Sequence, residues 1–138
     1  MSLIFWGVTA GMSNVRIVPL LLLLAACTNQ QASDELRLVG PLKQGFFARN
    51  YKELADCVTH AVAGKYDVDE SVQEELGVAR ITDFIYLPQG GQFPMWLLEI
   101  KRRADGHSYA EVHAASTPKT NFLPADLWPI VETCGKAA

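Results

Sequence analysis

The spacing of apolar residues after Asn50 predicts an amphipathic helix. Asn50 and Glu53 form the cap-x-x-Glu arrangement, in which the Asn side chain accepts from first-turn amides. Gly64 suits the C-terminal cap. The apolar residues recur at helical spacing, and they are Tyr51, Leu54, Ala55, Val58, Ala61 and Val62. We therefore expect this helix to bury one side against the rest of the fold.

Three later stretches alternate between apolar and polar residues as half-buried strands do: 78–87, 93–102 and 109–115. A loop rich in Pro and Gly, 88–92, separates the first two. Asp105-Gly106 predicts a hairpin between the second and third. These signals predict an antiparallel sheet of three strands.

The register of that hairpin follows from burial. A two-residue turn at Asp105-Gly106 would place apolar side chains on one face with carboxylates. A three-residue loop, 104–106, instead pairs apolar residues across the strands: Trp96 with Ala114, Leu98 with Val112, and Ile100 with Ala110. Because a one-residue slip exchanges the two faces of a strand, burial favours the three-residue loop.

The chain ends in a second predicted helix, which Asp126 caps and Gly135 ends. Pro129 is tolerated because first-turn amides have no intrahelical partner. Its apolar residues are Leu127, Ile130, Val131 and Cys134. We predict an α+β domain of two layers in the order α-β-β-β-α, with both helices on one sheet face. The covered face would hold Ile81, Ile85, Leu87, Trp96, Leu98, Ile100, Ala110 and Val112.

A short apolar run near the N-terminus has a different character. Arg16 precedes about ten apolar residues, which is the length of a signal-peptide core and too short to span a bilayer of about 30 Å. Leu24-Ala25-Ala26-Cys27 resembles the lipobox of bacterial lipoproteins. The resemblance implies cleavage before Cys27, a lipid on its thiol and membrane attachment. Thr28, where inner-membrane lipoproteins carry Asp, implies the outer membrane, facing the periplasm.

These observations divide the chain into a signal peptide at 1–26, a lipidated tether at 27–45 and one domain at 46–138. Met12 as the true start would give a compact signal peptide, since the first eleven residues carry no charge. The alternative, an uncleaved membrane helix over 3–26, would contain Arg16, which costs about 2.5–3.5 kcal/mol at a helix centre.

Charge and cysteine count narrow the function classes. The 12 Lys and Arg stand against 15 Asp and Glu, and losing Arg16 leaves 11 against 15, a net charge of −4. Without a basic stripe we expect no nucleic-acid partner. Cys57 and Cys134 remain once Cys27 is set aside, and an even remainder in an exported chain predicts a disulfide.

Two segments outside these elements carry weaker signals. Residues 36–39 could form a short strand that Gly40-Pro41 ends. Asp67 to Ser71 begins like a calcium loop, but the required Gly and Glu are absent, so we interpret it as a solvated acidic loop.

The uncovered sheet face is more aromatic than a solvated face needs to be. Exposed aromatic and Met residues rimmed by charge are typical of binding patches. Its candidate interaction residues are Phe84, Tyr86, Met95, Leu97, Tyr109 and His113. The alternatives are an ordinary surface or a cover formed by the 36–47 stretch.

Catalytic signals are sparse. Tyr109, Glu111 and His113 share one strand face, where a metal or acid–base site is geometrically feasible, although a solvated polar row has the same spacing. We find no motif for a cofactor, a metal or hydrolysis. We therefore expect a non-enzymatic envelope lipoprotein that engages another envelope protein. The alternative is a ligand-binding or hydrolytic site near His113.

Overall fold

The computed structural model describes residues 34–116 and 123–136. Five antiparallel strands form one sheet in the spatial order β1-β5-β4-β3-β2. The strands are β1 (Lys43–Phe47), β2 (Val68–Gln73), β3 (Val78–Tyr86), β4 (Gln92–Arg102) and β5 (Ser108–Ala114). The longest strands, β3 and β4, lie in the interior of the sheet.

Three helical segments accompany the sheet. They are α1 (34–38), α2 (Tyr51–Val62) and α3 (Leu123–Lys136). Helices α2 and α3 pack on one face, which we call the helix side; the opposite face is the far side. Within the described ranges, the helices all fall short of the length and apolar character that a membrane span requires.

The prediction of a three-stranded sheet is wrong, because β1 and β2 add one strand at each edge. β2 pairs with β3 and contains residues 68–71, which were interpreted above as part of an acidic loop at 67–71. Edge strands are commonly short and charged, which discourages pairing with other chains. For that reason their sequences resemble loops. The α+β class itself is confirmed.

The N-terminal part of the described chain also differs from the prediction. Residues 34–38 are helical rather than extended, and Leu36 is buried. β1 then begins at Lys43 and pairs with β5. The helical segment lies within the predicted tether at 27–45 and β1 begins within it, and the first contacts the sheet while the second is part of it.

Helix α2 forms as predicted. The Asn50 side chain accepts a hydrogen bond of 2.9 Å from the Lys52 amide. Its apolar stripe is buried on the helix side except for Ala61, which is exposed, and Leu54 and Val58 are fully buried. The cap and the stripe are both local features, so the sequence alone specifies them.

The hairpin register is confirmed. Trp96 lies opposite Ala114, Leu98 opposite Val112 and Ile100 opposite Ala110. Gly106, at φ +82°, occupies the left-handed position of the three-residue loop.

The disulfide between Cys57 and Cys134 is present and joins α2 to α3, with 5.7 Å between the two Cα atoms. Closing a loop of 77 residues contributes about 4 kcal/mol in the chain-entropy account of disulfides. The disulfide therefore links two helices that are far apart in the chain.

Helix α3 extends further at both ends than predicted. It includes Leu123 at its start and continues through Gly135 to Lys136. Gly135 does not end the helix, and a Cβ there would clash with the Phe47 ring. The glycine lets β1 pack closely against α3.

Candidate functional site

A buried carboxylate lies at the centre of the far side of the sheet. Glu99 on β4 is only 1 % exposed. Its Oε2 atom lies 2.8 Å from Arg80 Nε and 3.3 Å from Arg37 Nε, and its Oε1 atom lies 3.1 Å from Lys101 Nζ. A buried charge is tolerated only when it is paired and hydrogen-bonded, and Glu99 has three cationic partners.

The pKa of Glu99 reflects two opposing effects, which are burial and the nearby cations. Burial by itself raises the pKa of the carboxyl. Hydrogen bonds from Arg80 and Lys101, together with the positive charges of Lys101 and Arg37, outweigh burial and hold the pKa below its ordinary value. Glu99 is therefore an anion over the physiological pH range.

Glu111 on β5 lies directly opposite Glu99 in the β4–β5 pair. Like charges in that position repel, and Lys101 bridges them, with its Nζ atom 3.0 Å from Glu111 Oε2. The Tyr109 hydroxyl donates to Glu111 Oε1 at 2.9 Å. Burial raises the Glu111 pKa, but these two partners outweigh it and the pKa lies below its usual value.

His113 adjoins this cluster and is 4 % exposed. Its Nε2 atom lies 3.7 Å from Glu111 Oε2, and its buried Nδ1 atom has no hydrogen-bond partner among the described residues. A cavity of about 460 Å³ lies above, between the sheet and the segment 34–41. It is lined by Asp34, Arg37, Leu38, Pro41, Glu99, Lys101, Glu111 and His113.

The structure thus brings Tyr109, Glu111 and His113 together, as their spacing predicted. It also places a cation against each carboxylate of this cluster. Three carboxylates (Asp34, Glu99 and Glu111) face three cations (Arg37, Arg80 and Lys101). Burial and the hydrogen bond to Glu111 raise the pKa of Tyr109, so the phenol stays protonated. Nothing in 34–116 or 123–136 groups three His, Cys, Asp or Glu side chains for a metal ion. The cluster chiefly holds the N-terminal segment on the sheet.

The six residues predicted to form an interaction face do not share one exposed surface. Leu97 and His113 are buried on the far side, where segment 34–41 covers the centre of the sheet. Phe84 and Tyr109 are half-buried, and Tyr86 is exposed.

Met95 lies with the helix-side core because the register shifts there. Asp83 pairs with Trp96 and Phe84 with Pro94, which leaves Met95 as the extra residue of a bulge. Simple alternation had assigned Met95 to the far side. A Pro in the strand, which lacks an N–H for the ladder, is the sequence signal for such a bulge.

Sequence reasoning missed an exposed apolar surface at the β1 edge. We call it the β1 edge strip, and it consists of Leu38, Val39, Leu42 and Phe46. Leu38 is 85 % and Phe46 69 % exposed. The Arg103 guanidinium lies 4.7 Å from the centre of the Phe46 ring. Four apolar residues within nine positions, next to a predicted anchor, were the available signal.

Cys27 and the lipobox lie outside the described residues. No family model and no curated protein matches the chain.

Proposed function

We propose that this chain is a non-enzymatic, lipid-anchored protein of the bacterial cell envelope, which docks another envelope protein. The observation that carries the proposal is the disulfide between Cys57 and Cys134. Disulfides persist in oxidising compartments and are rare in the cytosol. The third cysteine is Cys27 of the lipobox, so each cysteine has a role in an exported lipoprotein.

The first described helical segment is close in sequence to the lipobox. Only residues 28–33 separate Cys27 from the helical segment at 34–38. Seven residues reach at most about 25 Å when extended. A lipid on Cys27 would therefore hold the domain within one domain diameter of the bilayer, as expected for an outer-membrane protein facing the periplasm.

The β1 edge strip is the surface that we propose for the partner. The predicted interaction face is largely covered, whereas the residues of the strip are apolar and exposed, and the cation Arg103 lies over the Phe46 ring. Surfaces of that composition are typical of protein–protein contacts. β1 is also an edge strand, so its outer backbone groups are open to a partner strand.

Intact mass of the membrane-fraction protein tests the anchor. Thiols are alkylated before and after reduction. We expect a chain that begins at an acylated Cys27, with Cys57 and Cys134 blocked until reduction. Cys27→Ser is the control and should remain unprocessed. A chain that retains Met1 or Met12 and has free thiols would contradict the proposal.

Crosslinking in cells tests the docking surface. A photocrosslinker at Phe46 should give one discrete adduct with an envelope protein, and Leu42→Ser should remove that adduct. The matched control places the crosslinker at Leu76, which is 70 % exposed at the opposite edge of the sheet. Equal adducts from both positions would argue against a specific strip.

One observation supports a second candidate function. His113 Nδ1 is buried without a partner beside a cavity of about 460 Å³. A small periplasmic ligand, bound or hydrolysed there, is the alternative. His113→Asn should leave cellular function intact under the docking proposal, whereas a strong loss of function from this variant with the fold unchanged would favour the ligand site.

A further inference from the structure

A second buried carboxylate lies on the helix side of the sheet. Asp83 on β3 pairs with Trp96 at the bulge and is 9 % exposed. Unlike Glu99, it makes no ion pair with any Lys, Arg or His in the described parts of the chain. The Asp67 backbone and the nearby Trp96 indole offset the cost of burial only in part, and the pKa of Asp83 stays above its ordinary value.

The surroundings of Asp83 form a small cavity of about 170 Å³. Two of its walls are the rings of Tyr66 and Trp96, which meet edge to face with 5.3 Å between their centres. The other lining residues are Ile85, Met95, Leu123 and Asp126. The indole N–H of Trp96 is buried, and Asp83 is the carboxylate that it stabilises. The cavity thus combines aromatic walls with a carboxylate that forms no ion pair within the described residues.

This combination favours a particular chemical class. An unpaired buried carboxylate is costly, and a cation beside it removes that cost. Aromatic faces attract cations, most strongly where water is excluded. A divalent metal fits less well, because Ca²⁺ takes about six to eight oxygen ligands and most of this lining is carbon and sulfur. An organic cation satisfies both the charge and the apolar walls.

An ammonium group of the chain lies next to two residues of the cavity lining. Lys65 Nζ lies 3.0 Å from Asp126 Oδ2 and 5.5 Å from the centre of the Tyr66 ring. Asp126 and Tyr66 both line the cavity. An ammonium between a carboxylate and an aromatic ring is therefore already present beside the cavity, whereas Asp83 has no cationic partner among the described residues.

We infer that this cavity binds a small primary or methylated ammonium group, with Asp83 as counter-ion and Tyr66 and Trp96 as aromatic walls. The size is adequate, since an engineered apolar cavity of about 150 Å³ in another protein holds a benzene molecule. The inference does not depend on the lipid anchor. Free amines and phospholipid headgroups both carry such a group.

Titration of the intact protein with defined probes tests the inference. Choline and methylammonium are compared with 3,3-dimethyl-1-butanol, the neutral isostere of choline, while NMR follows the Trp96 indole N–H. We expect a saturable shift with the cations, and none with the alcohol. Equal binding of the alcohol, or no saturable shift with either cation, would overturn the inference.

Substitutions identify the residues responsible. Asp83→Asn keeps the shape and removes the charge, and it should weaken choline binding at least about tenfold because the counter-ion is lost. Asp69→Asn, an equal charge change on exposed β2, is the matched control and should bind normally. Tyr66→Leu should weaken binding several-fold. Undiminished binding to folded Asp83→Asn would show that the cation does not use this carboxylate.

Vesicles distinguish the source of the ammonium group. If phosphatidylethanolamine vesicles shift the Trp96 signal and phosphatidylglycerol vesicles do not, the ligand is a lipid headgroup. If only the soluble amines shift it, the ligand is a free amine. In both cases the inference requires that Asp83→Asn abolish the shift of the Trp96 signal.

Discussion

Each side of this sheet buries a carboxylate, and the two carboxylates have different partners. Glu99 on the far side is 1 % exposed and Asp83 on the helix side is 9 % exposed. Glu99 contacts three cations, whereas Asp83 contacts none among the described residues. Burial is similar in the two cases, so the partners decide whether the charge stabilises the fold.

The difference reflects where the partners come from. Arg80 and Lys101 are neighbours of Glu99 within the sheet, and Arg37 comes from the N-terminal segment. Glu99 therefore links a segment outside the sheet to its centre. Asp83 lies at a bulge beneath aromatic and aliphatic side chains, where the chain supplies only backbone and indole contacts. Glu99 thus stabilises the fold through ion pairs, whereas Asp83 remains available to a ligand.

Removing the charge of Glu99 should have the largest effect. Glu99→Gln leaves Arg80, whose side chain is only 17 % exposed, without its anion. Breaking a buried ion pair by removing one partner costs about 3 kcal/mol or more. Urea unfolding should report a decrease of that size in the free energy of unfolding. A loss below about 1 kcal/mol, the range of a surface pair, would show that Glu99 does not organise this side.

Lowering the pH should change the contributions of Glu99 and Asp83 to stability in opposite directions. The folded pKa of Glu99 lies below its ordinary value of 4.5. Its stabilisation is therefore complete above that value, and it is lost as the pH falls through the folded pKa. The folded pKa of Asp83 lies above its ordinary value of 3.8. Asp83 is therefore neutral to stability below 3.8 and destabilises as the pH rises through the folded pKa.

Both contributions can be measured by unfolding the wild type, Glu99→Gln and Asp83→Asn across this pH range. We expect the deficit of Glu99→Gln to shrink as the pH falls below 4.5. We expect any gain of Asp83→Asn to shrink in the same direction. Variants whose differences from the wild type do not change with pH would contradict this account.

Asp83→Asn should be the stabilising change near neutral pH. The amide keeps the shape of the side chain and removes an unpaired buried charge, for which we expect a gain of about 1 kcal/mol. Thermal unfolding without added amines checks it, with Asp69→Asn as the matched control. A loss of stability would mean that the carboxylate is satisfied within the fold.

Arg37→Gln should have the smallest effect. The Arg37 side chain is 38 % exposed, and exposed ion pairs contribute about 0.5 kcal/mol. The consequence should be local, because α1 loses its polar contact with Glu99. Hydrogen exchange at the backbone amides of 36–38 should accelerate, while exchange in β4 stays unchanged. Acceleration throughout the sheet would show that this contact supports the whole fold.

Local signals in the sequence predicted the features that depend on neighbouring residues. The Asn50 cap, the stripe of α2 and the three-residue hairpin loop follow from short-range hydrogen bonding and burial. The disulfide followed from counting cysteines rather than from geometry. The two edge strands were missed because β2 is acidic and β1 contains a central glycine, although Gly77, at φ +63° in the turn after β2, was a usable signal.

The candidate sites could be predicted only in part. Tyr109, Glu111 and His113 were placed together by strand periodicity, and they do lie together. Periodicity could not show that Lys101 and the N-terminal segment would occupy their face. It also could not place Met95, because a bulge reverses the alternation on which the prediction depends.

The sequence by itself determined the α+β class, helix α2, the hairpin register and the pairing of Cys57 with Cys134. Each depends on residue periodicity, turn chemistry or an even count of cysteines. Tertiary structure alone decided which carboxylate would meet cations and which would not. Arg37 and Glu99 are 62 residues apart in the chain, and the bulge turns Asp83 toward Trp96. The energy of a buried charge depends on neighbours in space, and only the folded chain brings those neighbours together.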